Sequence, residues 1–227
     1  MDEELKKNIM KTGTSTVGIV CTNGIVMAGD RQATFGASIV GDKNTPKIYQ
    51  INKYLVVSIA GNASDAQMAM RYIAAQLKLK ELKDKKRPSL KESASFIASM
   101  YFQLIRQPSM IPSVVGSLVG GFNENGTTEL YSIIPDGSIR NVDDYDANIS
   151  SGMPYILGLL ERQYKKDLTV EEGIKLAIEC IKSSTQRDIG SGFGIDVITI
   201  KSDGIKHVIK QKIEPNYIEQ EITTTNK

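Results

Sequence analysis

The sequence has only one histidine and two cysteines among its 227 residues. His207 lies near the end of the chain and no Gly-x-Ser-x-Gly segment occurs, which argues against a Ser-His-Asp hydrolase. Cys21 and Cys180 lie in apolar segments and lack the spacing of a zinc site. We interpret both as buried free thiols, which suits a reducing compartment.

Phosphate-binding loops, membrane spans and a strong charge imbalance are also missing. No Walker-type loop occurs, and the glycine-rich segment 190–194 follows a predicted helix with the wrong spacing for a dinucleotide site. No stretch approaches the roughly 18 apolar residues of a membrane span, and residues 1–11 lack the apolar core of a signal peptide. The net charge of +2 favours neither nucleic-acid nor membrane binding. We therefore expect a cytoplasmic protein.

The apolar pattern predicts helices in pairs, between groups of strands. The predicted strands cover residues 14–22, 24–32, 47–51, 54–60, 114–122, 129–134, 138–142, 145–149, 194–202 and 205–211, and the predicted helices cover about 62–87, 89–107, 153–164 and 169–186. Residues 35–46 are predicted as a loop, and the chain from Glu214 as a short helix with a loose tail. Because paired helices do not fit a doubly wound parallel sheet, we expect an α+β fold with antiparallel sheets.

The first predicted hairpin carries residues from which a reaction can be argued. Glycine precedes Thr14, and Asp30 closes the second strand after a turn at residues 23–24. Strands rise about 3.3 Å per residue, so Thr14 and Asp30 would lie near the same end of the sheet. A cut between Gly13 and Thr14 would give Thr14 a hydroxyl nucleophile and a free α-amine as its base. Without further segments to compare, Asp30 is better explained as a strand-end residue that caps backbone N–H groups than as part of a reactive site.

Further segments along the chain resemble one enzyme family. The matching segments are 14–19 (TSTVGI), 29–31 (GDR), 47–51 (KIYQI), 59–67 (IAGNASDAQ), 150–154 (SSGMP) and 186–192 (QRDIGSG). Each is weak alone, but their order and spacing resemble the archaeal-type β subunits of 20S proteasomes from Thr14 to about Glu214. The resemblance implies the N-terminal-nucleophile hydrolase fold, a four-layer αββα sandwich of two antiparallel sheets flanked by helix pairs. It also implies a threonine-type endopeptidase that needs no metal or cofactor.

The resemblance assigns a role to individual residues. Residues 1–13 would be a propeptide removed by self-cleavage at Gly13-Thr14, and residues 14–227 would form one domain. Thr14 would be nucleophile and α-amine base, Lys47 would favour the neutral amine, and Asp30 would hold Lys47 by an ion pair. The other implied site residues are Ser151, Asp188 and Ser191 beside the Thr14 nitrogen, Gly61 as the oxyanion donor, and Ala33, Ile59 and Ala63 in the pocket for the substrate side chain.

Each of these residues also has an ordinary structural explanation. Loop capping explains small polar residues such as Ser151, a strand-edge position explains Lys47, and a backbone conformation restricted to glycine explains Gly61. The segment before Lys47 is one residue longer than in the family, which makes Lys43 the competing lysine. Three further departures are Ser15 for a threonine, Ser150 for a glycine and Met153 for a serine.

Two related functions remain as alternatives: a β subunit that builds a ring without catalysis, and the simpler bacterial ATP-dependent peptidase of the same fold. The intact Gly13-Thr14, Asp30 and Lys47 argue against the first, and the segment 187–192 argues against the second. As partners, the resemblance implies proteasome α subunits, other β subunits in seven-membered rings, and a regulatory ATPase that delivers unfolded polypeptide.

Overall fold

The computed structural model describes residues 13–35 and 39–213. The strands in this part are β1 (Thr16–Cys21), β2 (Gly24–Asp30), β3 (Ala33–Phe35), β4 (Ile39–Asp42), β5 (Ile48–Gln50), β6 (Leu55–Ser58), β7 (Ala60–Gly61), β8 (Val115–Phe122), β9 (Thr128–Ile133), β10 (Ile139–Asn141), β11 (Tyr145–Asp146), β12 (Gly194–Lys201) and β13 (Gly204–Lys212). The helices are α1 (Ala63–Asp84), α2 (Leu90–Arg106), α3 (Met153–Gln163) and α4 (Val170–Thr185). The leader up to residue 12 and the predicted helix and tail from Glu214 lie outside the described residues.

The helices begin where the sequence supplies capping side chains. Asn62 accepts a hydrogen bond from the Ser64 N–H group at the start of α1. Reciprocal capping boxes open α2 and α4, where the hydroxyls of Ser89 and Thr169 each pair with a glutamate three residues later. Both capping boxes are formed by residues only three positions apart, so the start of each helix is set by its local sequence.

Two large antiparallel sheets contain eleven of the thirteen described strands. The first has the order β11-β1-β2-β12-β13, and the second has the order β10-β9-β8-β6-β5, with β7 beside β8. In the first sheet Thr16 lies opposite Gly29, so the end of β1 that is nearest Thr14 meets the end of β2 that carries Asp30. The expected α+β fold with antiparallel sheets is confirmed.

The segment between Asp30 and Lys47 differs from the sequence-based expectation. It was predicted as a loop from residue 35, but β4 pairs with β3 as a separate two-stranded ribbon. The apolar side chains of Phe35 and Ile39 are exposed, so the pattern of alternating buried residues that predicts a strand is absent from the ribbon.

Strand β11 is shorter than predicted and ends at Asp146, because Asn148 has a left-handed backbone with φ of 49°.

The buried apolar side chains form three clusters. The first joins α1 and α2 to the β8-containing sheet and is centred on residues such as Ile73, Ile97 and Val119. The second joins α3 and α4 to the β1-containing sheet and includes Ile156, Ala177 and Val17. The third takes side chains from both sheets, including Met27, Leu118 and Ile198. No helix in the described ranges has the length and apolar character needed to cross a membrane.

Candidate active site

Thr14 lies two residues before β1 and is almost completely buried, with 3% of its surface exposed. Its hydroxyl Oγ1 donates a hydrogen bond of 2.6 Å to the carbonyl oxygen of Gly13. The Nζ of Lys47 donates to the same oxygen over 3.4 Å. One carbonyl group, at the bond between residues 13 and 14, is thus contacted by both a hydroxyl and a cationic side chain.

Gly13 reaches this position because it packs directly against the backbone of Gly190. A Cβ atom added to Gly13 would lie 2.0 Å from the Gly190 Cα, and one added to Gly190 would lie 2.4 Å from the Gly13 Cα. Any larger side chain at either position would push the two segments apart. The glycine before Thr14 therefore allows close approach of the backbone rather than an unusual turn.

Asp30 is completely buried and accepts three backbone hydrogen bonds. The donors are the N–H groups of Ser15 at 2.9 Å, Gln32 at 2.9 Å and Gly192 at 3.0 Å. Burial raises the pKa of Asp30 to about 6, although the charge of Lys47 and the three N–H groups oppose this shift. The carboxylate therefore joins β1, β2 and the loop before β12.

Lys47 is also buried, with 5% of its surface exposed. Burial lowers the pKa of its ammonium group, and the negative charge of Asp30 opposes that shift. The two side chains interact through their charges but do not form the ion pair within 4.0 Å that was expected. Each of the two side chains therefore acts on the charge of the other, and the expected role of Asp30 in holding Lys47 stays a prediction.

The nitrogen of Thr14 contacts a serine and aspartate pair from two distant loops. The Thr14 N–H group donates to Ser151 Oγ at 2.9 Å, and Ser151 Oγ lies 2.7 Å from Asp188 Oδ2. Ser191 Oγ donates to the same Asp188 oxygen. The structure thus brings together Thr14, Ser151, Asp188 and Ser191, four of the residues selected from the sequence.

Two further buried serines extend this network and were not recognised from the sequence as site residues. Ser15 Oγ lies 2.7 Å from Ser191 Oγ and 2.5 Å from Ser184 Oγ. A carboxylate only accepts and each hydroxyl has one proton, so Ser191 donates to Asp188, Ser15 to Ser191, and Ser184 to Ser15. Ser184 is on the last turn of α4. In the sequence it follows the periodic pattern of the helix, and nothing there distinguishes it as a site residue.

Of the remaining predicted residues, Ile59 is hydrogen-bonded to the backbone of Lys47. The Ile59 N–H group donates to the Lys47 carbonyl oxygen at 2.9 Å, and Gly61 follows with φ of 120°. A Cβ atom at Gly61 would lie 2.0 Å from the carbonyl oxygen of Val114, so both space and conformation require glycine. The two alanines selected for the pocket differ in exposure: Ala33 in β3 is half-buried and Ala63 at the start of α1 is exposed.

Lys43, the competing lysine, points to a different place. It is exposed, and its Nζ lies 5.0 Å from the centre of the Phe193 ring.

Among residues 13–35 and 39–213, no group of histidine, cysteine, aspartate and glutamate side chains is arranged to hold a metal ion.

The chain is similar to known proteins over most of its length. A model of the family described as "Proteasome subunit" matches residues 10–200. "Proteasome subunit beta 2" of Pyrococcus abyssi is 39% identical over 202 residues, which cover 89% of this chain and 93% of that protein. "Proteasome subunit beta" of Methanothermobacter thermautotrophicus is 34% identical over 209 residues, which cover 92% and 95%. The protein of the same name from Methanocaldococcus jannaschii is 34% identical over 208 residues, which cover 91% and 89%. The buried threonine site therefore lies in a chain that belongs to the proteasome subunit family.

Proposed function

We propose that this chain is the catalytic β subunit of a 20S proteasome core particle, and that it hydrolyses peptide bonds of unfolded proteins with Thr14 as nucleophile. The observation that carries the proposal is the contact of the Thr14 hydroxyl, 2.6 Å from the Gly13 oxygen. The Thr14 nitrogen meets Ser151 at 2.9 Å, which supports a role for that nitrogen as well. A β subunit that only builds the ring would not need these buried polar groups around one peptide bond.

Maturation begins with attack of Thr14 Oγ1 on the carbonyl carbon of Gly13. The Oγ1–C bond forms, the C–N bond breaks, and the hydroxyl proton passes to the Thr14 nitrogen, which leaves an ester. Water then hydrolyses the ester, restoring the hydroxyl and giving a Gly13 carboxylate and a free Thr14 amine. Lys47, with its Nζ 3.4 Å from the Gly13 oxygen, stabilises the negative charge that develops there.

In the mature subunit the freed amine acts as the base for the neighbouring hydroxyl. An α-amine ordinarily has a pKa of about 7.7–8.0, close to the value that proton transfer near neutral pH requires. The positive charge of Lys47 favours the neutral amine, and the negative charge of Asp30 stabilises the Lys47 ammonium group. Ser151, Asp188 and Ser191 orient the amine, and the Gly61 N–H group stabilises the oxyanion of the substrate.

The proposal includes the wider organisation of the family. The three apolar clusters support a four-layer αββα sandwich, in which one helix pair covers the outer face of each sheet. Residues 14–227 form the mature domain, which assembles with other β subunits into seven-membered rings capped by α subunits. A regulatory ATPase delivers unfolded polypeptide, and the particle works in the cytoplasm without a cofactor.

The test of this function is the intact mass of the assembled particle. We expect chains that begin at Thr14, and we expect Thr14→Ala particles to keep residues 1–13 and to lack peptidase activity. A particle whose chains begin elsewhere would exclude Thr14 as an N-terminal nucleophile. Particles that keep the leader and lack activity without any substitution would identify the ring-building alternative.

A further inference from the structure

Between Asp30 and Lys47 the chain leaves the first sheet at the end of β2, forms the β3–β4 ribbon and enters the second sheet at β5. Any shift of this segment would move Lys47 relative to Asp30 and Thr14. The carbonyl group of Lys47 is held by the Ile59 N–H group at 2.9 Å. A second attachment on the other side of Lys47 comes from Arg31.

Arg31 contacts the segment before β5 with both its backbone and its side chain. Its carbonyl oxygen accepts from the Thr45 N–H group at 2.9 Å. Its guanidinium donates to Asn44 Oδ1 from Nε at 3.2 Å and from Nη2 at 2.6 Å. Asn44 and Thr45 precede Lys47 by three and two residues, so these bonds close the base of the excursion.

The other end of the guanidinium is fixed inside the protein. Arg31 Nη1 donates to the Asp196 carboxylate on β12, and 3% of Arg31 and 7% of Asp196 remain exposed. Gly194 makes room for this path, because a Cβ atom there would lie 2.7 Å from the Arg31 Cδ. Because Asp196 fixes the planar guanidinium of Arg31, the remaining N–H groups of Arg31 can hold the exposed Asn44 in one position.

We propose that Arg31 is a positioning residue that sets the place of Lys47 by binding Asn44 at the base of the ribbon. The proposal deepens the proposed function, on which it rests, because it concerns the lysine of that site. Arg31 does not touch the reacting atoms; it acts through Asn44 and Thr45. These bonds hold the chain two and three residues before Lys47, whose Nζ lies 3.4 Å from the Gly13 carbonyl oxygen.

The test uses Asn44, because substitution of Arg31 would leave Asp196 buried and unpaired and could prevent folding. Asn44→Ala removes the acceptor for two guanidinium donors, whereas Asn44→Asp keeps an acceptor there. Lys43→Ala is the matched control, since Lys43 is exposed in the same segment and contacts the Phe193 ring instead of Arg31. Each variant is measured in the assembled particle with a fluorogenic peptide.

We expect Asn44→Ala to lower kcat about tenfold with KM nearly unchanged, since small displacements of a catalytic group slow the reaction strongly. Asn44→Asp and Lys43→Ala should stay within about twofold of the parent kcat. A kcat for Asn44→Ala equal to that of Lys43→Ala, or a loss that Asn44→Asp shares, would overturn the positioning role.

A second measurement does not depend on catalysis. In the Thr14→Ala background, residue-resolved hydrogen exchange follows the Thr45 N–H group, bound to Arg31, and the Ile59 N–H group, bound to Lys47. We expect Asn44→Ala to speed exchange at both sites and Asn44→Asp at neither. Unchanged exchange at Ile59 would show that Lys47 has not moved and would contradict the proposal. If instead the parent particle lacks Thr14-dependent activity, the proposed function fails while the exchange result still decides whether Arg31 positions Lys47.

Discussion

Lys47 and Lys43 lie four residues apart but in different surroundings. Lys47 is buried with its Nζ 3.4 Å from the Gly13 oxygen, whereas Lys43 is exposed beside Phe193. We expect Lys47→Ala to lose nearly all peptidase activity and leader removal while the particle still assembles. Lys47→Arg should fail as well, because a guanidinium stays charged and is wider than an ammonium group.

Kinetics and native mass of the assembled particle measure this prediction, with Lys43→Ala as the comparison. Some loss of stability is expected for Lys47→Ala, since the buried Asp30 then loses the opposite charge of Lys47 and keeps only its backbone hydrogen bonds. The reverse pattern, in which Lys43→Ala abolishes activity and Lys47→Ala does not, would identify Lys43 as the catalytic lysine.

Asp30 should make stability depend on pH in an unusual direction for an aspartate. Burial raises its pKa from 3.8 to about 6, so the folded chain holds this proton more tightly than the unfolded chain. Its contribution to stability is fully present below about pH 4 and is lost as pH rises through about 6. We expect the melting temperature of the uncleaved Thr14→Ala chain, relative to Thr14→Ala with Asp30→Asn, to fall as pH rises from about 4 to 7.

Thermal unfolding followed by circular dichroism measures this difference, and other titrating groups cancel because they occur in both chains. Asn cannot accept all three backbone N–H groups, so Asp30→Asn is less stable over the whole range. A difference that increases with pH would mean that the charges and N–H groups around Asp30 outweigh its burial.

At the scale of single elements, α4 is tied to β1 by the hydroxyls of Ser184 and Ser15, 2.5 Å apart. Ser184→Ala should lower the free energy of unfolding by about 1 kcal/mol, the net contribution of one buried hydrogen bond. Ser184→Thr, which keeps a hydroxyl, and Ser183→Ala, outside this chain of hydroxyls, serve as comparisons in thermal unfolding. A Ser183→Ala loss as large as that of Ser184→Ala would show that the effect comes from helix composition.

The elements that the sequence predicts best are those whose signals are local. Capping boxes at Ser89 and Thr169 involve residues three apart, and the helices that follow are found where expected. The β3–β4 ribbon and the role of Ser184 were missed for the opposite reason. The ribbon has largely exposed apolar residues, and Ser184 gains its contact only when α4 packs beside β1.

The candidate site was predictable where neighbouring residues define it. That Thr14 and Asp30 lie near the same end of the first sheet follows from hairpin length alone. The contact of Ser151 with Thr14 instead joins residues 137 positions apart, and Asp188 is connected to Thr14 only through Ser151. Only the family resemblance could select those two residues beforehand. The three backbone N–H groups that bind Asp30 come from separate segments of the chain, and no residue pattern reveals them in advance.

At the scale of the whole molecule, the residues proposed for the substrate pocket come from separate parts of the fold. Ala33 belongs to β3, Ile59 lies between β6 and β7, and Ala63 begins α1. All three are small or apolar, so we expect cleavage after apolar residues. A panel of fluorogenic peptides that differ only before the cleaved bond measures this, and a clear preference for acidic or basic residues would contradict the proposed pocket.

The contact between Gly13 and Gly190 has a further consequence for how activity would begin. If residues 1–13 are the proposed propeptide, its last carbonyl group lies against Thr14 and is joined to it by a covalent bond. The propeptide would then act as a tethered competitive inhibitor with a very high effective concentration. Dissolved peptide at ordinary concentrations would not displace it. Proteolysis would therefore begin in an all-or-none way in each subunit. Its onset would depend on the rate at which that subunit cleaves its own leader, and not on the concentration of substrate.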